Sequence, residues 1–303
     1  MAVLSDKRLV IVSGKGGVGK STVSAALALR FCRAGLRTLV CEVNAKERVS
    51  QLLGLTEAGP RVTKLEENLW AANVRPDEAM REYALMILKF QSIYNAVFEN
   101  RLVRYFLHFI PSLAELVMLG KILFHVREKE GEHFRFDRVV LDAPATGHAL
   151  TFLSVPQVIL DTVPPGALAR DATWMRDLLV DPATTAAVLV SLPEEMPVNE
   201  TLELATALRT KVNVRPGAVV LNGVFSQRFD DRELAALAPH PSLATLAQGH
   251  HQRARLSLEC HDKLASRLGL PVYSVPRLFL PAFGRPAVEE VARHLAPLTD
   301  GAP

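Results

Sequence analysis

The chain has 303 residues, 49% of them hydrophobic and 22% charged, so it can bury a large core and does not have the composition of a disordered protein. A formal net charge of +3, with no basic block, gives no footprint for nucleic acid. The cysteines Cys32, Cys41 and Cys260 form no C-x-x-C pair, which argues against both a disulfide framework and a zinc site.

In chain order, Arg8 to Ser13 is a short β-branched run suited to a buried parallel strand. A glycine-rich turn follows, then an Ala/Leu-rich helix over Gly19 to Ala34 with Gly35 after its end, then a second strand over Arg37 to Glu42. Strand, glycine turn, helix and strand make a βαβ unit and predict a parallel sheet. Further strands are expected at Arg138–Leu141, Ala186–Ser191, Gly217–Leu221 and Leu270–Ser274, with helices at Glu200–Leu208 and Pro286–Leu295. The alternation is that of a doubly wound α/β sheet.

Between Arg75 and Glu130 there is no strand signal. Met80, Tyr83, Ala84, Ile87, Gln91, Tyr94, Val97 and Phe98 step at helical spacing, Pro111 punctuates the run, and Ser112 to Arg127 is helical and apolar on most sides. The expected organisation is one domain over 1–303, carrying a helical insertion over 76–130 and a smaller helical piece over 165–180. The charge-free stretch from Ala143 to Leu160 is broken by two prolines, a glycine and a histidine, which makes it a poor membrane span. With no signal-peptide layout at the N-terminus, the expected location is the cytoplasm.

The chemistry is concentrated in Gly14-Lys15-Gly16-Gly17-Val18-Gly19-Lys20-Ser21-Thr22, a G-x-x-x-x-G-K-S string between a strand and a helix. Glycines let the backbone wrap phosphate closely. Consecutive N–H groups and the positive end of the following helix then bind oxyanions. Lys20 is expected on the β- and γ-phosphates of ATP, and the Ser21 hydroxyl on Mg²⁺. Phe136 to Asp142 is an apolar strand ending in an acid, which puts Asp142 near the same Mg²⁺.

Lys15 is a second lysine that an ordinary phosphate loop does not need. The whole string GKGGVGKST resembles the deviant Walker A group of ATPases, and that resemblance implies that Lys15 crosses to the nucleotide of a second subunit. Asp142-Ala143-Pro144-Ala145-Thr146-Gly147-His148 is similar to the γ-phosphate-sensing switch of the ArsA and tail-anchored-protein-targeting ATPase family. Leu192 to Thr201 is also similar to that family and implies that Glu194 lies close to nucleotide. By the same resemblance Asn222 reads adenine and Pro276 belongs to the adenine-side loop. The resemblance runs from Arg8 to about Leu295 and implies a P-loop ATPase that dimerises.

There are departures from the family pattern. Where the family's first switch carries an Asp that orients or activates water, this chain has Asn44. An amide positions water but cannot take its proton, so firm ATP binding and slow hydrolysis are expected. Glu42, two residues earlier, is a substitute base if the strand ends there. No cysteine cluster supports stimulation by arsenite. Three readings stay open: a dimeric switch serving a hydrophobic helical client or membrane partner, the energising subunit of an anion exporter, and the low-activity half of a heterodimer with a related ATPase.

Overall fold

The computed structural model describes residues 3–45, 48–54, 59–88 and 112–300, with side chains of 84–88 excluded. The first strand, β1 (Leu9–Gly14), leads through the glycine loop into α1 (Lys20–Arg33) and β2 (Thr38–Val43). Next come the one-turn helix α2 (Arg48–Leu52), β3 (Thr63–Glu66), β4 (Leu69–Val74) and α3 (Pro76–Leu88). The chain continues with α4 (Leu113–Arg127), a small hairpin of β5 (Lys129–Glu130) and β6 (His133–Phe134), and β7 (Arg138–Asp142). Helices α5 (Thr146–Thr162) and α6 (Ala167–Val180) precede β8 (Thr185–Ser191), which is followed by α7 (Glu195–Ala207) and β9 (Pro216–Val224). The remaining elements are α8 (Asp231–Ala236), α9 (Pro241–Leu268), β10 (Val272–Pro276), α10 (Arg285–His294) and α11 (Ala296–Asp300).

Eight strands form one sheet in the order β10-β9-β8-β1-β7-β2-β4-β3, parallel except for the edge strand β3. Both faces are covered, which is why the central strands read as unbroken apolar runs. Successive side chains of β1 supply opposite layers: Leu9 and Ile11 join a core under α4, α5 and α7, while Val10 and Val12 join a core under α1 and α10. Because β1 lies between β7 and β8, its C-terminal end opens on the crevice where doubly wound sheets bind ligands.

The expected strands of the central sheet are present within one to three residues, while the helix expected over Glu200–Leu208 begins five residues earlier, at Glu195, and several other elements differ from expectation. The absence of strand between Arg75 and Glu130 is corrected by β5, which is stabilised as a hairpin with β6 rather than by its own composition. The broken stretch from Ala143 becomes α5, with Pro156 inside it. Proline removes one helix hydrogen bond, but Pro156 is buried with Phe152, Leu153 and Ile159, and tertiary packing outweighs the local penalty. No strand was expected at β3 or β4, and no helix of 28 residues at α9. In the expected insertion, Met80 and Tyr83 lie on α3; Gln91, Tyr94, Val97, Phe98 and Pro111 lie outside the described residues. No described helix is long and apolar enough to cross a membrane.

The cysteines occupy three separate elements. Cys41 in β2 is fully buried, and burial pushes its thiol up to about 12. Cys260 in α9 is buried, with its thiol raised by desolvation. Cys32 in α1 is half-buried; desolvation and then Glu66 raise its thiol. Because the thiolate is the reactive form, a maleimide at pH 8 should label Cys32 first and Cys41 only after unfolding. Peptide mapping of the labelled native protein checks the order; early modification of Cys41 would contradict its burial.

Candidate functional site: a phosphate-binding loop with two switches

The loop leaves β1 at Gly14, where an added Cβ would stand 2.3 Å from the Val190 carbonyl oxygen of β8. It enters α1 at Gly19, whose φ of 97° belongs to the left-handed region. An added Cβ there would stand 2.4 Å from the amide nitrogen of Asn222. That amide donates to the Val18 carbonyl at 2.9 Å, so β9 grips the loop from 204 residues away in the chain. The expected adenine-reading Asn222 therefore sits at the loop's edge with its donor engaged.

Lys20 and Ser21 open α1 and line a cavity of about 440 Å³ with Gly17, Gly19 and Thr22. The Lys20 ammonium donates to the Lys15 carbonyl at 2.9 Å. Burial holds its pKa below the ordinary lysine value, opposed by Asp142 and reinforced by Arg48. Asp142 ends β7 and is buried. The Ser21 hydroxyl donates to its Oδ2 at 2.7 Å and the Ser24 hydroxyl to its Oδ1 at 2.9 Å. Desolvation raises its pKa, against the hydrogen bonds from Ser21 and Ser24 and the charges of Lys20 and Arg48. A carboxylate and a hydroxyl packed this closely form a hard oxygen donor set, which suits a magnesium ion.

Lys15 points elsewhere. Its ammonium pairs with Glu200 of α7 at 2.6 Å and lies against the Met196 sulfur on the same helix. Glu194 is the N-cap residue of α7, in extended backbone and exposed. Pro276 ends β10 after a register shift, beside Val224 of β9.

The segment expected to be the first switch follows β2. Asn44 is exposed, with φ of 46°, and its N–H donates to the Val74 carbonyl. Buried Asn73 clamps the next residue: its Oδ1 accepts from the Ala45 N–H and its Nδ2 donates to the Ala45 carbonyl. The strand continues past Glu42 to Val43. Glu42 is buried, and its Oε1 accepts from the N–H groups of Arg48 and Val49. That oxygen holds α2, which removes the condition under which Glu42 was to replace the missing base. In the second switch, Thr146 starts α5 with its hydroxyl buried and unpartnered among the described residues, and His148 is exposed.

Several residues at the site carried no sequence expectation. Ser24 holds Asp142, Asn73 shapes the first switch, Glu200 and Met196 hold Lys15, and Arg48, Gln51, Leu52 and Phe283 form the cavity's outer wall. Only Ser24 had a local signal, one helical turn beyond Ser21 on the same face.

A mostly parallel sheet with a glycine loop at its central strand, a turn leading straight into a helix, and a lysine, serine and buried aspartate brought together there define a P-loop nucleoside triphosphatase. The family model for anion-transporting ATPases matches residues 7–164 and 167–238. The chain belongs to the anion-transporting ATPase family, and its nucleotide is ATP. It is 30% identical over 243 residues to the ATPase BagA of Mycobacterium tuberculosis, spanning 78% of this chain and 70% of that protein. It is 30% identical over 180 residues to the ATPase GET3 of Mycosarcoma maydis, covering 58% of this chain and 49% of that one. A putative arsenical pump-driving ATPase of Halobacterium salinarum is 24% identical over 245 residues, covering 75% and 37% respectively.

Proposed function

We propose that this ATPase is a slow, dimeric nucleotide switch that couples ATP and Mg²⁺ binding to the handling of a hydrophobic client. The observation that carries the dimer is the direction of Lys15. Its ammonium leaves its own phosphate cavity and rests on Glu200, on a half-exposed surface. A lysine on a phosphate loop that does not face its own phosphates is free to serve those of a second copy. Mg²⁺ would be held by Ser21, with Asp142 behind it, and would neutralise charge on the β- and γ-phosphates. Lys20 would leave the Lys15 carbonyl to bind the same phosphates, and Thr146 would offer its hydroxyl to the second switch.

A cavity of about 650 Å³ between α3, α4 and α6 supports the client reading. Leu116, Val117, Phe124, Trp174 and Met175 give it apolar walls, and Phe124 is exposed. Such a surface suits an apolar helix of a client protein, presented by its side chains at every third or fourth position. This is favoured over the energising of an anion exporter, because the cysteines lie on α1, β2 and α9 rather than together.

The test is Lys15→Ala. Wild-type protein with ATP and Mg²⁺ should run as a dimer in sedimentation velocity, and the variant as a monomer, with ATP affinity changed by less than about tenfold. A variant that dimerises as wild type does would sink the shared-lysine reading. A wild-type chain that dimerises only when mixed with a related ATPase would favour the heterodimer instead.

A further inference from the structure

We infer that Arg48 is a catalytic residue of this ATPase, contributing its guanidinium to the γ-phosphate of ATP in the cavity that the glycine loop lines. Arg48 is the first residue of α2 and lines the phosphate cavity together with Gly17, Lys20 and Ser21. It is exposed and makes no ion pair with any described residue. Arg33 pairs with Glu289, Arg37 with Asp137, Arg135 with Glu128 and Arg285 with Glu66. Arg48 has no such partner among the described residues and lines the cavity formed with the glycine loop.

Its backbone is well held. Buried Glu42 accepts the Arg48 N–H at 2.9 Å, and Glu42 stands in register with Asp142 on the neighbouring strand. Asp142's neighbour in the sheet thus also fixes where Arg48 starts. The charge of Arg48 acts on both Lys20 and Asp142, which places it within electrostatic reach of the groups beneath the phosphates.

In hydrolysis the water oxygen bonds to the γ-phosphorus. The bond to the β,γ-bridging oxygen breaks, its electron pair leaves with ADP, and the water's proton passes to a phosphate oxygen. Asn44 cannot take that proton, so the barrier falls mainly on stabilising the charge spread over the transferring group. A planar, always-charged fork is suited to that task. Gln51, one helical turn on, lines the same cavity and offers an amide on the same side.

The assay is single-turnover hydrolysis with Arg48→Ala and Arg48→Lys, alongside binding of ADP and of ADP with aluminium fluoride. Arg48→Ala should lower the rate about 10³-fold and lose a comparable factor in fluoride-complex affinity, while ADP affinity stays within about threefold. Arg48→Lys should recover part of the rate. The thermal midpoint should not move, because the side chain is exposed. A rate within about threefold of wild type, or ADP affinity falling as far as the rate, would overturn the assignment. Since the proposed dimer is read from sedimentation, the two ideas fail separately.

Discussion

Asn44→Asp should hydrolyse ATP about 10² times faster than the native chain, because a positioned carboxylate base is worth roughly 10²–10⁴ in rate. The backbone can accept the change. Asn44 has φ of 46°, and Asp is among the few residues that tolerate this conformation. Its exposed side chain has no described partner to lose, while the Asn73 clamp on Ala45 and the Val74 carbonyl hold the backbone where it is. The clamp matters because a base helps only if it is held near the attacking water. The existing carboxylate nearby, Glu42, caps α2 with one oxygen and is buried, so it does not already supply the base. Steady-state phosphate release at saturating ATP is the measurement. A variant no faster than the native chain would show that Asn44 does not occupy the place of the missing acid.

The second large effect is expected at Gly19→Ala: ATP affinity should fall by more than about 10², because the substitution acts on the loop that positions every phosphate donor. A left-handed conformation costs a non-glycine residue ~1–2 kcal/mol. The new Cβ would also stand 2.4 Å from the Asn222 amide, which must then release the Val18 carbonyl or push the loop aside. Either response moves the N-terminus of α1, and with it Lys20 and Ser21. Isothermal titration with ATP should show the loss, while the circular dichroism spectrum stays that of the folded chain. Affinity within about fivefold of wild type would mean that the loop relaxes without losing its phosphate geometry.

Much of the sheet was legible because its strands are buried on both sides. RLVIVS, RTLVCE and AAVLVS are apolar at consecutive positions, and only a strand covered by helices on both faces uses such runs. The edge was harder to read. Thr63–Glu66 carries Lys and Glu and is half-exposed, and its strand character comes from pairing with β4. Helix α5 was hidden by Pro144, Gly147 and Pro156, whose local penalties are overcome by the burial of Ala149, Phe152, Leu153 and Val155.

The loop by itself determined the chemistry. Its glycines, lysine and serine are consecutive, and their function depends on local backbone geometry that a short sequence specifies. The same holds for Asp142, placed by the length of an apolar strand. What only the tertiary structure decided is which distant groups those residues meet. Lys15 reaches Glu200 across 185 positions, Asn222 grips Val18 across 204, and Ser24 meets Asp142 across 118. Arg48 lines the loop's cavity because β2 lies beside β7 and Glu42 pins the start of α2. Such meetings depend on the order of strands in the sheet, which hydrophobic periodicity does not encode: a buried strand has the same pattern at every central place.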